Sequence, residues 1–310
     1  MKEQFNPPAR EPSILDNLDN QLLLAKKLQG VYDSRPDMKS FLGAMYGTKF
    51  EENYTQEQIE KDEAYAIKKR AEFDETNSSF GRENLDRAEG GFQLSEMMQA
   101  MIVDRLNKHW FKECKAIMTS DYDDIAVGID AVMKHERGGY LGAAFDFTVT
   151  NQDKKVYEKL TREWDKNIRG GKILTVKYFE DPDTKEKGKI LVPKFIIGAS
   201  KKDVEELASA YLSDDAEALE NHPFKYIMLL QIEEQLQTVL DYYETQDDPS
   251  LAFAKTQYER IQTLMRSMRN EIHADEKISS DVDFYEYTKK NVALDMMRRF
   301  RIMRGRDIGL

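Results

Sequence analysis

Two aspartates, Asp130 and Asp146, stand in the apolar stretch "GIDAVMKHERGGYLGAAFDFTVT" (residues 128–150), one on each side of a glycine-punctuated turn. An ionised carboxylate in a largely buried sheet is costly unless a cation or hydrogen-bond donors compensate it. The pairing register decides what these two can do, since a one-residue slip sends facing side chains to opposite faces. A three-residue loop, Arg137 to Gly139, makes paired residue numbers sum to 276 and sets Asp130 across from Asp146, with side-chain roots about 5 Å apart. A two-residue turn separates them. Facing carboxylates repel unless a cation bridges them, and magnesium accepts one or two carboxylates plus water and phosphate oxygens. Such an ion lowers the pKa of water and stabilises charge on phosphorus. The competing reading is structural, each acid capping a turn or pairing with Arg or Lys. Asp124, in "DYDD", is a secondary metal candidate beside its role as a turn residue.

The elements that must position these residues follow from periodicity. In "FDFTVT", period two places Asp146, Thr148 and Thr150 on one polar face, and Phe145, Phe147 and Val149 on a core face. Before them, "FQLSEMMQAMIVDRLNKHWF" spaces Phe92, Met97 or Met98, Met101, Ile102 and Leu106 as a helix. The segments "CKAIMTS", "IAVGIDAVMKH" and "YLGAAFDFTVT" follow as strands, the last two joined by "ERGG". Then "DKKVYEKLTREWDKNI" repeats apolar residues every four positions and stops at Gly170 and Gly171. Two more strands, "KILTVKYFE" and "KILVPKFIIGA", complete an order α, β, β, β, α, β, β. Residues 201–310 read as helices packed on one another and on the sheet. Residues 1–90 read as an amino-terminal arm, helical or partly disordered; 51–89 hold 12 acidic against 6 basic side chains and show weak apolar periodicity.

This order, with "GID" in the second strand and "FDFT" in the third, resembles the PD-(D/E)XK nuclease superfamily. The resemblance implies an α+β fold, a restriction-endonuclease-like αβββαβ core over 91–200 with a mixed sheet flanked by helices, and a helical carboxy-terminal region. It implies that Asp130 and Asp146 match the two metal-binding acids and that Glu96, on the first helix, matches the third. The family's lysine is replaced by Thr148. In some members that lysine has moved to the following helix, where this chain has Lys155 and Lys159, and Lys159 is the preferred match for stabilising the transition-state phosphate. The implied function is magnesium- or manganese-dependent hydrolysis of DNA phosphodiester bonds. Residues 90–200 are also similar to a group of uncharacterised bacterial proteins sharing this core. Helix position alone also favours Glu96 through the dipole, and Lys155 and Lys159 also suit a solvated helix face.

Composition narrows the alternatives. A single cysteine excludes an intramolecular disulfide framework, and four scattered histidines lack the spacing of a helical zinc motif. No phosphate-binding glycine loop or serine nucleophile elbow occurs. With no run of 18 apolar residues and no signal-peptide pattern, the expected location is cytoplasmic, without membrane insertion. A net charge of −11 argues against nucleic-acid binding over the whole surface, although a local basic stretch remains. Lys289, Lys290, Arg298, Arg299, Arg301, Arg304 and Arg306 supply one near the carboxy terminus. Arg298, Arg299 and Arg301, with Lys155, are candidate phosphate-backbone contacts, and complementing the acidic amino-terminal region is their other reading. A homo-oligomer through the carboxy-terminal helices is a further expectation. A catalytically silent nuclease-fold module that binds nucleic acid or a protein partner, and a purely structural helical interaction protein, are the competing classes.

Overall fold

The computed structural model describes residues 13–42, 54–79, 94–108, 110–112, 114–135, 142–149, 153–181, 183–274 and 291–307. The chain folds as an α+β protein. The strands β1 (Cys114–Met118), β2 (Ala131–His135) and β3 (Ala143–Val149) form an antiparallel meander, and β6 (Lys194–Ala199) joins the far side of β3 in parallel. A separate hairpin of β4 (Leu174–Glu180) and β5 (Lys187–Val192) intervenes before β6. Proline explains one departure from the expected strands. "KILVPKFIIGA" is split at Pro193, which has no N–H for a ladder, so β5 and β6 belong to different sheets. The Pro193 carbonyl instead accepts from Ala144 N at 2.8 Å, which sets Lys194 beside Ala144.

The second departure lies in "IAVGIDAV", expected as extended chain. Asp123–Val127 forms a single π-helical turn that ends at Gly128 in the left-handed region, φ 71°. Glycine reaches that conformation without steric cost. The chain therefore enters β2 only at Ala131, and Asp130 occupies the bend just before it.

The helices are α1 (Leu18–Lys27), α2 (Gln29–Tyr32), α3 (Gln56–Ser79), α4 (Leu94–Asn107), α5 (Asp153–Lys166), α6 (Lys201–Leu212), α7 (Ala216–Glu220), α8 (Phe224–Thr245), α9 (Ala252–Ala274) and α10 (Val292–Asp307). One continuous buried cluster runs from Leu15 and Leu24 through Met101, Phe145, Ile197 and Met228 to Phe300. A second joins Val132 and Ala144 of the sheet to Leu174, Val176 and Val192 of the hairpin. The expectation of one polar sheet face is thereby corrected. Residues 143–148 are all buried: the hairpin packs on Ala144, and Lys159 and Lys194 close over Asp146.

Polar groups tie the amino-terminal helices down where apolar periodicity is weak. Asp62 of α3 accepts from Lys177 Nζ at 2.6 Å and Tyr178 Oη at 2.7 Å. Tyr178 is fully buried among Phe41, Tyr54 and Ile59. Among the described residues no helix is long and apolar enough to cross a membrane.

Strand β6 is an edge, and α8 covers it with side-chain amides. Gln231 donates to the Gly198 carbonyl and accepts from the Gly198 N–H, both at 2.8 Å. One turn later Gln235 does the same with Ile196, both at 2.9 Å. These pairs stand in for a neighbouring strand and block further pairing. Replacement Gln231→Leu orphans two backbone groups and is expected to cost about 2–4 kcal/mol; urea unfolding measures it, and a loss no larger than that of an exposed glutamine refutes the role.

Candidate functional site

The pairs Ala131 with Phe145, Val132 with Ala144 and Met133 with Ala143 all sum to 276, the register that puts the aspartates on one face. The turn expected at Arg137 to Gly139 lies outside the described residues, as does Thr150. The ladder ends one pair before Asp130 and Asp146. There the Asp130 side chain replaces the backbone as acceptor: Asp130 N donates to the Phe145 carbonyl at 2.8 Å, and Phe147 N donates to Asp130 Oδ2 at 2.6 Å.

Asp146 carries the charge pairing. Its Oδ1 accepts a short hydrogen bond from Lys159 Nζ, which also lies 3.4 Å from the Phe147 carbonyl. Its Oδ2 is 3.6 Å from Lys194 Nζ. Lys159 comes from α5, the helix that follows β3. Thr148 itself is buried, and its Oγ1 has no hydrogen-bond partner among the described residues.

Asp130 has less compensation. Burial pushes its pKa well up, the carboxylates of Asp124 and Asp146 push it further, and Lys159 and the Phe147 N–H only partly oppose this. Asp124, in the π-helical turn, lies close enough to Asp130 for each carboxyl to act on the pKa of the other. Burial also raises the Asp124 pKa, with Arg35 opposing. Arg35 lies 2.5 Å from Asp121 and 3.6 Å from Asp124, and Arg70 of α3 lies 3.4 and 3.9 Å from the same pair. Glu96, in the first turn of α4, is placed within electrostatic reach of Arg35 and Tyr32. It is thus linked to the acids through a guanidinium.

The neighbouring Asp123 has a structural task. Fully buried, it accepts from the backbone N–H groups of Lys177 and Tyr178 at 2.7 and 2.9 Å and from the Ser120 hydroxyl at 2.8 Å. Burial nevertheless pushes its pKa up to about 6. It fastens the π-helical turn to β4.

The sequence motifs did not single out Lys194, Glu163, Arg35 or Arg70. For Lys194 a signal existed, a lone cation opening the apolar run "KFIIGA". The two arginines gave none, lying far from the acids along the chain. Of the expected nucleic-acid contacts, Arg298 and Arg301 pair with Glu234 at 3.5 Å, Arg301 also with Asp241 at 3.4 Å, and Arg299 with Asp295 at 2.7 Å. Lys155 is exposed on α5. Lys289 and Lys290 lie outside the described residues.

The chain matches no family model, no curated protein and no solved structure. Its chemistry is therefore argued from the site. Among the described residues no three His, Cys, Asp or Glu side chains form a ready metal-holding group. The donor chemistry still fits a hard cation held by one or two carboxylates, the usual share of protein ligands for magnesium. The crowding that raises the Asp130 pKa is the feature such an ion would relieve.

A carboxyl whose folded pKa is raised contributes stability at low pH that is lost as pH rises through that value. With EDTA present, Asp130→Asn is expected to raise Tm relative to the parent at pH 8, and the gap to narrow at pH 5. Thermal unfolding at both pH values measures this; a variant destabilised equally at both contradicts the crowding.

Proposed function

We propose that this protein is a divergent PD-(D/E)XK-like phosphodiesterase that uses magnesium or manganese to hydrolyse DNA. The observation that carries the reading is the Lys159 ammonium on Asp146 Oδ1, beside a buried Asp130 whose carboxyl lacks full compensation. Further support comes from the element order α4, β1, β2, β3, α5 and the parallel β6, which agrees with a restriction-endonuclease-like core.

Asp130 and Asp146 are the residues that would hold the ion, with Asp124 adjoining. When bound, the ion supplies electrophilic stabilisation of phosphate charge and eases deprotonation of the attacking water. The chain's own groups orient the rest. The Phe147 N–H holds Asp130 through Oδ2, and Lys159 holds Asp146 through Oδ1. An ammonium has three donors, so Lys159 can keep Asp146 while donating to a phosphate oxygen. That contact is worth most as negative charge grows in the transition state. Arg35 and Arg70 surround Asp121 and Asp124 with positive charge, a field that favours a polyanionic substrate.

A second reading, the silent nuclease-fold module, is favoured by Thr148 at the family's lysine position and by Arg35 on Asp124. One assay separates the two: cleavage of single-stranded, duplex and branched DNA with magnesium, manganese or EDTA. The parent is expected to cut only with metal. Asp146→Ala is expected to lower the rate on the order of a thousandfold, and Lys159→Met about a hundredfold, with circular dichroism and Tm establishing that each variant folds. A salt-dependent gel shift with no cleavage under any metal selects the silent module instead.

A further inference from the structure

Lys194 and Glu163 form the inner wall of the site. Lys194 Nζ is 2.9 Å from Glu163 Oε2 and 3.6 Å from Asp146 Oδ2. The side chains of Lys194, Asp146 and Glu163 are 10%, 11% and 7% exposed. Glu163 Oε1 is occupied by Asn167 Nδ2 at 2.8 Å, so both of its oxygens are committed. Lys159 and Glu163 lie one turn apart on α5, which brings an alternating set of four charges together: Lys159, Asp146, Lys194, Glu163. Burial works against the Lys194 ammonium, but Glu163 and then Asp146 outweigh it and raise its pKa. The Gly128 corner closes the remaining side; a Cβ there would lie 3.7 Å from Asp146 Oδ2 and 3.8 Å from Lys194 Nζ.

The unequal distances matter. Lys194 leans toward Glu163, so that among the described residues Asp146 Oδ2 meets a longer, electrostatic contact. A cation in that place neutralises part of the Asp146 charge without occupying its oxygen. It also repels any second cation brought to the same oxygen.

We propose that Lys194 is a positioning residue, held by Glu163, which Asn167 fixes in turn, that orients Asp146 and limits how tightly a divalent cation is held there. The inference rests on the metal-site reading above and adds a regulator of affinity. Removing the Lys194 charge strengthens ion binding. Removing the Glu163 charge frees Lys194 to close on Asp146 and weakens it. A purely structural role for the pair predicts no such opposition of sign, because both changes would merely loosen the site.

The test is titration of the full chain with Mn2+ alone, followed calorimetrically and by the electron-spin signal of free Mn2+. Lys194→Met is expected to bind about tenfold more tightly than the parent, Glu163→Gln about tenfold more weakly, and Lys194→Arg, which keeps the charge, within about threefold. Tm and circular dichroism establish that each variant folds; should Lys194→Met not fold, Glu163→Gln and Lys194→Arg still decide. Affinities that do not move, or that fall together in Lys194→Met and Glu163→Gln, overturn the role given to Lys194. Absence of Mn2+ binding by the parent, or binding unaltered by Asp146→Asn, overturns the metal-site reading itself and this inference with it.

Discussion

The Asp146 carboxylate, enclosed between two ammonium groups, is the constraint around which the rest of the molecule is organised. Its side chain is 11% exposed, and a buried charge of that kind persists only when paired and hydrogen-bonded. The two partners come from different places in the chain, Lys159 from the helix after β3 and Lys194 from the start of β6. For both to arrive, α5 must lie against the sheet and β6 must run parallel beside β3. The alternating charges thus connect the packing of the core to the chemistry at its surface.

The acids on the other side of the group are less balanced. Asp130 gains one backbone donor and a distant share of Lys159, while Asp124 and Asp146 both disfavour its charge. The bend before β2 therefore carries electrostatic tension, and Arg35, in the bend after α2, and Arg70 of α3 pair with Asp121 and Asp124. Stored tension of this kind is common where ligands bind. Other buried polar groups are better matched: Asp123 accepts from two backbone amides, Asp62 from Lys177 and Tyr178, and the two glutamines of α8 pair with the edge of β6.

Much of the local structure was legible in the residues. Helix α5, Asp153–Lys166, falls within "DKKVYEKLTREWDKNI", and the pairing sum of 276 that sets the aspartates on one face holds along the described ladder. Lys159 was legible as a cation on the helix that directly follows β3, and that helix does bring it to Asp146. What escaped was non-local. Pro193 divides an apolar run between two sheets, and Gly128 ends a π-helical turn where alternation alone suggested strand. Both are single-residue backbone effects that override a hydrophobic pattern. Arg35 and Arg70 reach Asp121 and Asp124 across long chain separations, and no periodicity encodes that meeting.

By itself, the sequence determined which segments could bury a face and where acids would sit among apolar residues, since those depend on side-chain type and on spacing of two or nearly four residues. Tertiary structure alone decided which charges meet. Lys194 leans on Glu163 rather than closing on Asp146, and Asp130 rather than Asp146 is the acid left short of compensation. The reason is that a carboxylate's proton affinity depends on burial and on charges a few ångströms away, and those neighbours are assembled from segments far apart in the chain.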